Sequence, residues 1–361
     1  MDKKWPDSAV MMTLAGIAYS SDIGNQLKNT DYATQGDWSV VWGPSDDSYG
    51  NLAYVAKSAS TGKYALAIRG SETSFSWDTL YNWFYNLYVT WQSPWPIIPG
   101  AMISYGSHVQ ASQLTVDSWN GHTLGQFLTS IPKGATLAIT GHSLGGNLAT
   151  VLASWISSIR GPAETLPDPN TEVYTFAAPS AGNTAFANGF TARFPKSYRY
   201  WNSLDAVPRG WDNLLGLLTI YDSIGIPTPS WIWDTVVALE TALIASEWEY
   251  GSYYLQPNGN GNKLTGSALP LTDDYVLEVA YQHGVNVYLG LLNAPLLKQR
   301  ANLLAAAAFE PGAHLPRPEP IQRKAVQTSA TKPIAGLPNP GLTRLAEISA
   351  LAGYPRARTG F

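Results

Sequence analysis

The segment from Ala135 to Ala149 restricts the fold more than any other stretch of this chain. A short apolar, β-prone run (Leu137, Ala138, Ile139) meets Gly141-His142-Ser143-Leu144-Gly145, and a small-residue helical pattern follows. A strand that turns so abruptly into a helix leaves the middle serine on a sharp corner, its hydroxyl pushed clear of the backbone. Glycine suits positions 141 and 145, because side chains there would collide where strand and helix cross. The turn also aims the Leu144 backbone N–H and the helix N-terminus at any negative oxygen formed beside Ser143. The five-residue pattern is weak by itself; the strand before it, the helix after it and the further Gly146 strengthen it. The bland alternative is a Gly-rich turn between a buried strand and a helix. Partners separate the two readings. A serine hydroxyl is a poor nucleophile until a histidine takes its proton, and that histidine needs a carboxylate to orient it.

The chain has five histidines, at 108, 122, 142, 283 and 314. His142 adjoins the serine within the turn and should point elsewhere. His108 and His122 lie upstream, and His314 falls in a Pro-rich region. Where such an elbow sits in an α/β sheet, the partners follow in the order Ser, Asp or Glu, His. That leaves His283, in Ala280-Tyr-Gln-His-Gly284. By itself a histidine beside a glycine reads as a polar loop residue. For the carboxylate Asp205 is favoured, because it follows a strand-like run and precedes Val207-Pro208, at a strand end where ligand-facing groups cluster. Its ordinary reading is a turn former before proline. Asp168, Asp212 and Asp222 are weaker candidates, since none directly follows a strand-like run.

The 361 residues suffice for one large domain with appendages. Charged residues make up only 13% of the chain, and 14 Trp and 20 Tyr suit apolar grooves and amphipathic surfaces. No cysteine is present, which excludes disulfides, thiol catalysis and thiolate metal sites. Residues 311–361 hold 7 Lys/Arg and 2 Asp/Glu, a balance of +5; the rest, with 15 against 24, is at −9. An acidic body argues against nucleic acid as partner. No run is apolar for long enough to span a bilayer. Lys3 and Lys4 precede an apolar stretch, Ala9 to Ala18, that a signal peptide would also show, but Pro6 and Asp7 interrupt it. Val10, Leu14, Ile17 and Ala18 fall on one helical face, so an amphipathic first helix is expected, N-capped near Asp7 or Ser8. The corresponding expectation is a leaderless chain, or a mature secreted form.

Along the chain, residues 36–70 read as a hairpin region followed by a buried strand, Lys63 to Arg69, that ends at Arg69-Gly70-Ser71. Residues 72–99 are Trp-rich, and 109–131 look helical. The elbow helix should run to about Ile159. Strands are expected at Glu172–Ala177 and Ser197–Asn202. Residues 211–250 are apolar and partly helical, 251–267 read as a Gly/Asn loop, and Asp273–Gly284 as a helix or turn ending at His283. Alternating strands and helices imply an α/β class with a mostly parallel sheet. From about Pro311, eight prolines by residue 355 and few aromatics predict an extended, basic tail over 311–361, with room for one short helix at Leu342–Leu351.

Several blocks together resemble the class 3, fungal-lipase-like branch of the α/β-hydrolases. Tyr64-Ala-Leu-Ala-Ile-Arg-Gly-Ser71 is similar to a strand ending in R-G-S/T. Asn82-Trp83-Phe-Tyr-Asn86-Leu87 is similar to the N-W-x-x-D/N-L segment. The elbow, Tyr174-Thr-Phe-Ala-Ala-Pro179 through Gly182-Asn183, Tyr198-Arg-Tyr-Trp-Asn202 through Asp205-Ala-Val-Pro208, and His283 follow in the family's order. The likeness covers roughly residues 8–295. Departures are the H-x-G-F element, present only as Tyr105-Gly-Ser-His-Val109, extra residues at Thr73–Tyr81, and a long interval from Asp205 to His283. The resemblance implies a domain over 1–310 with apolar lid segments near 73–99 and 211–250. It implies Ser143, Asp205 and His283 as the catalytic set, with Ser71 and Leu144 as oxyanion donors. Trp77, Trp83, Phe84, Leu87 and Trp91 are the expected lid and substrate residues. Neither metal nor organic cofactor is expected.

The implied chemistry is ester hydrolysis through an acyl-enzyme, most simply of acylglycerols, with transient contact at a lipid interface. A phospholipase A-type enzyme acting on membranes, and a feruloyl- or acetyl-esterase for soluble esters, are the alternatives within that chemistry. Outside it stands a non-catalytic lipid- or glycan-binding protein, since Trp-rich surfaces also bind sugars. The apolar residues of 211–250 also read as ordinary core. Oligomeric state is not legible.

Overall fold

The computed structural model describes residues 4–46, 51–71, 89–160, 170–259, 261–269 and 273–298. Its centre is a seven-stranded sheet whose spatial order follows the chain: β1 (Trp38–Asp46), β2 (Leu52–Ser58), β3 (Tyr64–Ile68), β4 (Leu137–His142), β5 (Thr171–Phe176), β6 (Ser197–Asn202) and β7 (Asn262–Leu264). β1, β2 and β3 pair antiparallel; from β3 to β7 every pairing is parallel. The sheet is therefore mostly parallel with helices against it, the α/β-hydrolase class expected.

Period-2 alternation divides the sheet residues between two cores. Leu66, Ile68, Leu137 and Ile139 face one, with Leu148, Leu152 and Ile156 of helix α2 (Leu144–Arg160). Ala65, Ala67 and Ala138 face the other, with Met11, Met12 and Leu14 of helix α1 (Asp7–Ile17). Alanines on that face leave room for α1 close to the strands. Thr140 Oγ1 donates to the Met11 carbonyl at 3.1 Å and Tyr54 Oη to that of Leu14 at 2.7 Å. Each large aliphatic side chain sealed here contributes about 1.5–3 kcal/mol relative to exposure.

The first helix departs from expectation. It is buried all round from Met11 to Ile17, and of the expected apolar face Val10 alone is left partly open. Pro6 occupies the N-cap position with no side-chain cap, rather than Asp7 or Ser8. The physical reason is cover on both sides. The sheet takes one face, and helix α5 (Val285–Leu291) takes another, so close that a Cβ on Gly16 would fall 2.7 Å from both Leu297 Cδ1 and Val285 Cγ1.

The stretch 109–131 is not one helix. Tyr105–Val116 and Leu124–Ser130 are separated by a small hairpin, Ser118–Trp119 with His122–Thr123. Asn120 and Gly121 turn it with φ of 49° and 79°, the left-handed pair an Asn-Gly hairpin turn requires. Thr123 then caps the second helix through a reciprocal capping box with Gln126. Within the expected loop 251–267 lie Tyr254–Leu255 and β7, the latter closing one edge of the sheet. Among the described residues no helix is long and apolar enough to cross a membrane.

Candidate active site

Three parallel strands, β4 to β6, direct their C-terminal ends toward one region; Ser143 directly follows β4, and Asp205 lies just past β6. β4 is buried at all six positions and runs straight into Ser143, which has φ of +61° before α2 begins at Leu144. A non-glycine residue in the left-handed region costs about 1–2 kcal/mol. Surrounding bonds impose it: Ser143 N–H donates to the Phe176 carbonyl at 2.9 Å, and the Ser143 carbonyl accepts from Gly146 N–H at 2.9 Å and Asn147 N–H at 3.2 Å. The glycines are spatial requirements. A Cβ on Gly141 would fall 2.1 Å from the Gly145 carbonyl oxygen, and one on Gly145 2.2 Å from that of Ile68.

Asp205 sits three residues past β6, fully buried, its N–H bonded to the Asn202 carbonyl at 3.0 Å. His283 caps the C-terminus of helix α4 (Tyr275–Gln282). Asn202 ties these two supports together, donating through Nδ2 to the Gln282 carbonyl at 3.1 Å and to Gln282 Oε1 at 2.6 Å. The end of β6 and the end of α4 are thus held in register across 80 residues of sequence.

His283 Nδ1 lies 3.1 and 3.0 Å from the two Asp205 oxygens, and its Nε2 lies 2.9 Å from Ser143 Oγ. An ionised carboxylate only accepts, so Nδ1 carries the proton. In the neutral imidazole Nε2 is then the acceptor that faces the serine hydroxyl. Asp205 receives two further donors, Tyr288 Oη at 2.7 Å and Val207 N–H at 3.0 Å. Burial, followed by the Asp205 charge, pushes the Tyr288 phenol well above its ordinary range, so it stays a donor. Ser143 is only 2% exposed and His283 6%. Water-poor surroundings of this kind strengthen each of these contacts.

Ser71 follows β3 by three residues. Its neighbour Gly70 presses against the elbow, where a Cβ would stand 3.0 Å from Ser143 Cβ. Leu144 is the first residue of α2 and is buried. Its N–H belongs to the helix-terminal set with no intrahelical acceptor. Leu144 thus adjoins Ser143 in the chain, and Ser71 is one residue beyond the Gly70 that packs against it. Trp77, Trp83, Phe84 and Leu87 lie outside the described residues, as does the tail 311–361. Trp91 is described: it is 59% exposed and stands edge-to-face with Tyr105, centroids 6.2 Å apart. In the second apolar segment Trp211, Leu214, Leu215, Leu217 and Leu218 are core residues. Trp231 and Trp248, on helix α3 (Ser230–Tyr250), are exposed. Among the described residues no group of three or more His, Asp or Glu is arranged to hold a metal.

His142 does point away from the serine, but into a role that sequence reasoning missed. Its Nε2 lies 2.9 Å from the His283 carbonyl oxygen and its Nδ1 3.1 Å from Tyr19 Oη. Burial, then the nearby His283 imidazole, hold its pKa well below 6.5, with the bond to the His283 carbonyl acting in the opposite direction. The unfolded chain binds a proton here that the folded chain refuses. Stability should therefore be flat above about pH 6.5 and fall below it, by at most about 1.4 kcal/mol per pH unit from this group. Thermal unfolding followed between about pH 7.5 and 5 should show that slope. His142→Gln, which cannot titrate, should reduce it by one proton; an identical slope in the variant would place the cost elsewhere.

Residues 65–211 match the family described as Lipase (class 3). A protein of Fusarium solani described as secreted mono- and diacylglycerol lipase 1 is 27% identical over 162 residues. That match covers 44% of this chain and 42% of the Fusarium protein, so the chain spans less than half of that relative. A crystal structure of M37 lipase superposes with a TM-score of 0.64 at 28% identity, over 79% of this chain and 90% of that one.

Proposed function

We propose that this chain, whose residues 65–211 match the class 3 lipase family, is a serine carboxylic-ester hydrolase that cleaves acylglycerol esters through an acyl-enzyme on Ser143. The observation that carries the reading is the single directed series Asp205–His283–Ser143, with contacts of 2.9–3.1 Å and one tautomer that satisfies all of them. His283 Nε2 takes the Ser143 proton as Oγ attacks the ester carbonyl. Asp205 orients the ring and stabilises the imidazolium. The oxyanion is met by the Leu144 N–H and at Ser71. The imidazolium then protonates the leaving alcohol, and water repeats the cycle on the acyl-enzyme. A donor pre-aimed at the oxyanion contributes about 3–4 kcal/mol to such a step.

Acylglycerol is the substrate class favoured, because the Fusarium relative is described as acting on mono- and diacylglycerols and the M37 protein as a lipase. The exposed Trp91, beside Tyr105, gives the surface an aromatic contact suited to a lipid interface. The Fusarium relative is also described as secreted, and a secreted form of this chain is part of the same proposal. The test is a panel of triolein, diolein, phosphatidylcholine and short p-nitrophenyl esters given to the full chain, with a fluorophosphonate probe in parallel. Diolein or triolein should be hydrolysed fastest, and the probe should label the peptide that contains Ser143. A preference for phosphatidylcholine would make the enzyme a phospholipase, and one for acetate esters a soluble esterase. No hydrolysis and no labelling would leave a lipid- or glycan-binding protein.

A further inference from the structure

The hydrolytic mechanism leaves without a task the buried His142 imidazole and the hydroxyl of the partly buried Tyr19. Both lie beside the reacting residues. The His142 ring centroid is 4.8 Å from that of His283 and 5.6 Å from that of Tyr288, and His142 immediately precedes Ser143. Tyr19 follows helix α1 and reaches the site across 123 residues of sequence.

The donor order in this cluster has one solution. A carbonyl oxygen can only accept, so the bond to the His283 carbonyl places the His142 proton on Nε2. The buried ring is neutral, so Nδ1 is left as an acceptor and Tyr19 Oη donates to it. The Tyr19 oxygen in turn accepts the Gly70 N–H at 3.1 Å. The His142 carbonyl, at 3.4 Å, is the poorer of the two acceptors offered to the single Tyr19 proton. A directed chain results: Gly70 N–H to Tyr19, Tyr19 to His142, His142 to the main chain of His283. One end holds the segment that carries Ser71. The other holds the carbonyl of the proposed general base, at the C-terminus of α4, where helix carbonyls lack intrahelical donors. The middle is rooted in the elbow itself.

Gly70 shows how tightly the arrangement is drawn. A Cβ there would meet Tyr19 Oη, the His142 carbonyl oxygen at 2.8 Å and Ser143 Cβ at 3.0 Å. The Tyr19 hydroxyl therefore occupies the space directly behind the backbone that borders the nucleophile.

We infer that Tyr19 and His142 are positioning residues that fix the distance between the oxyanion segment at Gly70-Ser71 and the imidazole of His283, by bonding to the backbone of each. This rests on the catalytic reading of Ser143, His283 and Asp205. Neither residue touches the reacting atoms. Both act through the main chain, so they set how well base and oxyanion donors are aligned, and bear little on how substrate is bound.

The experiment uses the full chain with a soluble p-nitrophenyl ester. Tyr19→Phe keeps the ring and removes the hydroxyl that joins the two halves. It should lower kcat by about tenfold or more with KM changed by less than about twofold, since small misplacements of reacting groups are that costly. His142→Leu should do the same. His142→Gln, whose amide can still donate to the His283 carbonyl, should recover much of the loss. A purely structural role would lower the unfolding temperature and leave kcat of the folded fraction, titrated with a fluorophosphonate, unchanged. That result overturns the inference, as does equal kcat in His142→Leu and His142→Gln. Independently of any variant, nitrogen-15 shifts of the wild-type ring at neutral pH should show His142 neutral and protonated on Nε2; a cationic ring or the other tautomer also overturns it. Failure of the wild type to hydrolyse any ester or accept the probe would instead sink the catalytic reading, so the two failures are distinguishable.

Discussion

Ser143→Ala is expected to reduce ester turnover by about four to six orders of magnitude, the range found when a serine nucleophile acting with its histidine is removed. The loss should be almost complete in the single variant. His283→Ala should cost about as much, and the double variant little more, because the proposed nucleophile and base would act as one unit across the 2.9 Å contact. Additive losses, or hydrolysis that persists in Ser143→Ala, would show that another group attacks the ester. Stability should move the other way in a companion variant. Ser143 holds φ of +61°, a conformation glycine adopts without penalty. Ser143→Gly should be inactive, yet unfold at a higher temperature, with a gain on the order of 1 kcal/mol. A lower unfolding temperature would mean that the Ser143–His283 bond outweighs the backbone strain.

Gly141→Ala and Gly145→Ala should cause the largest losses of stability, about 3–5 kcal/mol or more each, out of a total typically near 5–15 kcal/mol. Both added methyl groups would meet backbone: the Gly145 carbonyl at 2.1 Å and the Ile68 carbonyl at 2.2 Å. Neither is the mobile end of a side chain, so relief requires moving β3 or α2 away from β4. Those elements carry Ile68, Leu148 and Leu152 into one core, and their separation would open it. The control is Gly290→Ala. Gly290 lies in α5, where an added methyl would meet nothing within 4 Å, and alanine is the better helix former by about 0.5–1 kcal/mol. Equilibrium urea unfolding compares all three. A Gly141→Ala protein with the wild-type midpoint would refute the steric account of the elbow.

The corner at Ser143 is legible because three local signals coincide between Ala135 and Ala149: a β-prone run, spaced glycines and a small-residue helix. β6 matches the expected strand to its last residue, and β5 to within one. His283 follows from chain order and from the shortage of rival histidines, Asp205 from its place just past a strand-like run, and the His283 ring lies in hydrogen-bond contact with both Asp205 and Ser143. What escapes is decided by neighbours distant in sequence. Hydrophobic periodicity reports one face of α1, and nothing local says that α5 will cover another. Composition does not divide the 211–250 segment, in which Leu214 to Leu218 join the core while Trp231 and Trp248 do not. The contacts of Tyr288 with Asp205 and of Tyr19 with His142 join positions 83 and 123 residues apart, and no motif marks the tyrosine end of either. Asn120-Gly121 is different. It is a standard hairpin signal inside a run that reads as helix, and there the turn chemistry prevails.

The sealing of α1 has a consequence for synthesis. Gly16 is packed by Val285 and Leu297, and Lys298 N–H bonds to Tyr32 Oη. Helix α1 is thus synthesised well before its final neighbours. Translation of the roughly 270 intervening residues takes on the order of 15–55 s at common ribosome speeds. Throughout that interval Met11, Met12, Leu14 and Ile17 lack part of their native cover. A nascent chain with that much apolar surface waiting is a customer for chaperones, and a chain halted before residue 285 should be recovered as aggregate rather than as a smaller folded protein.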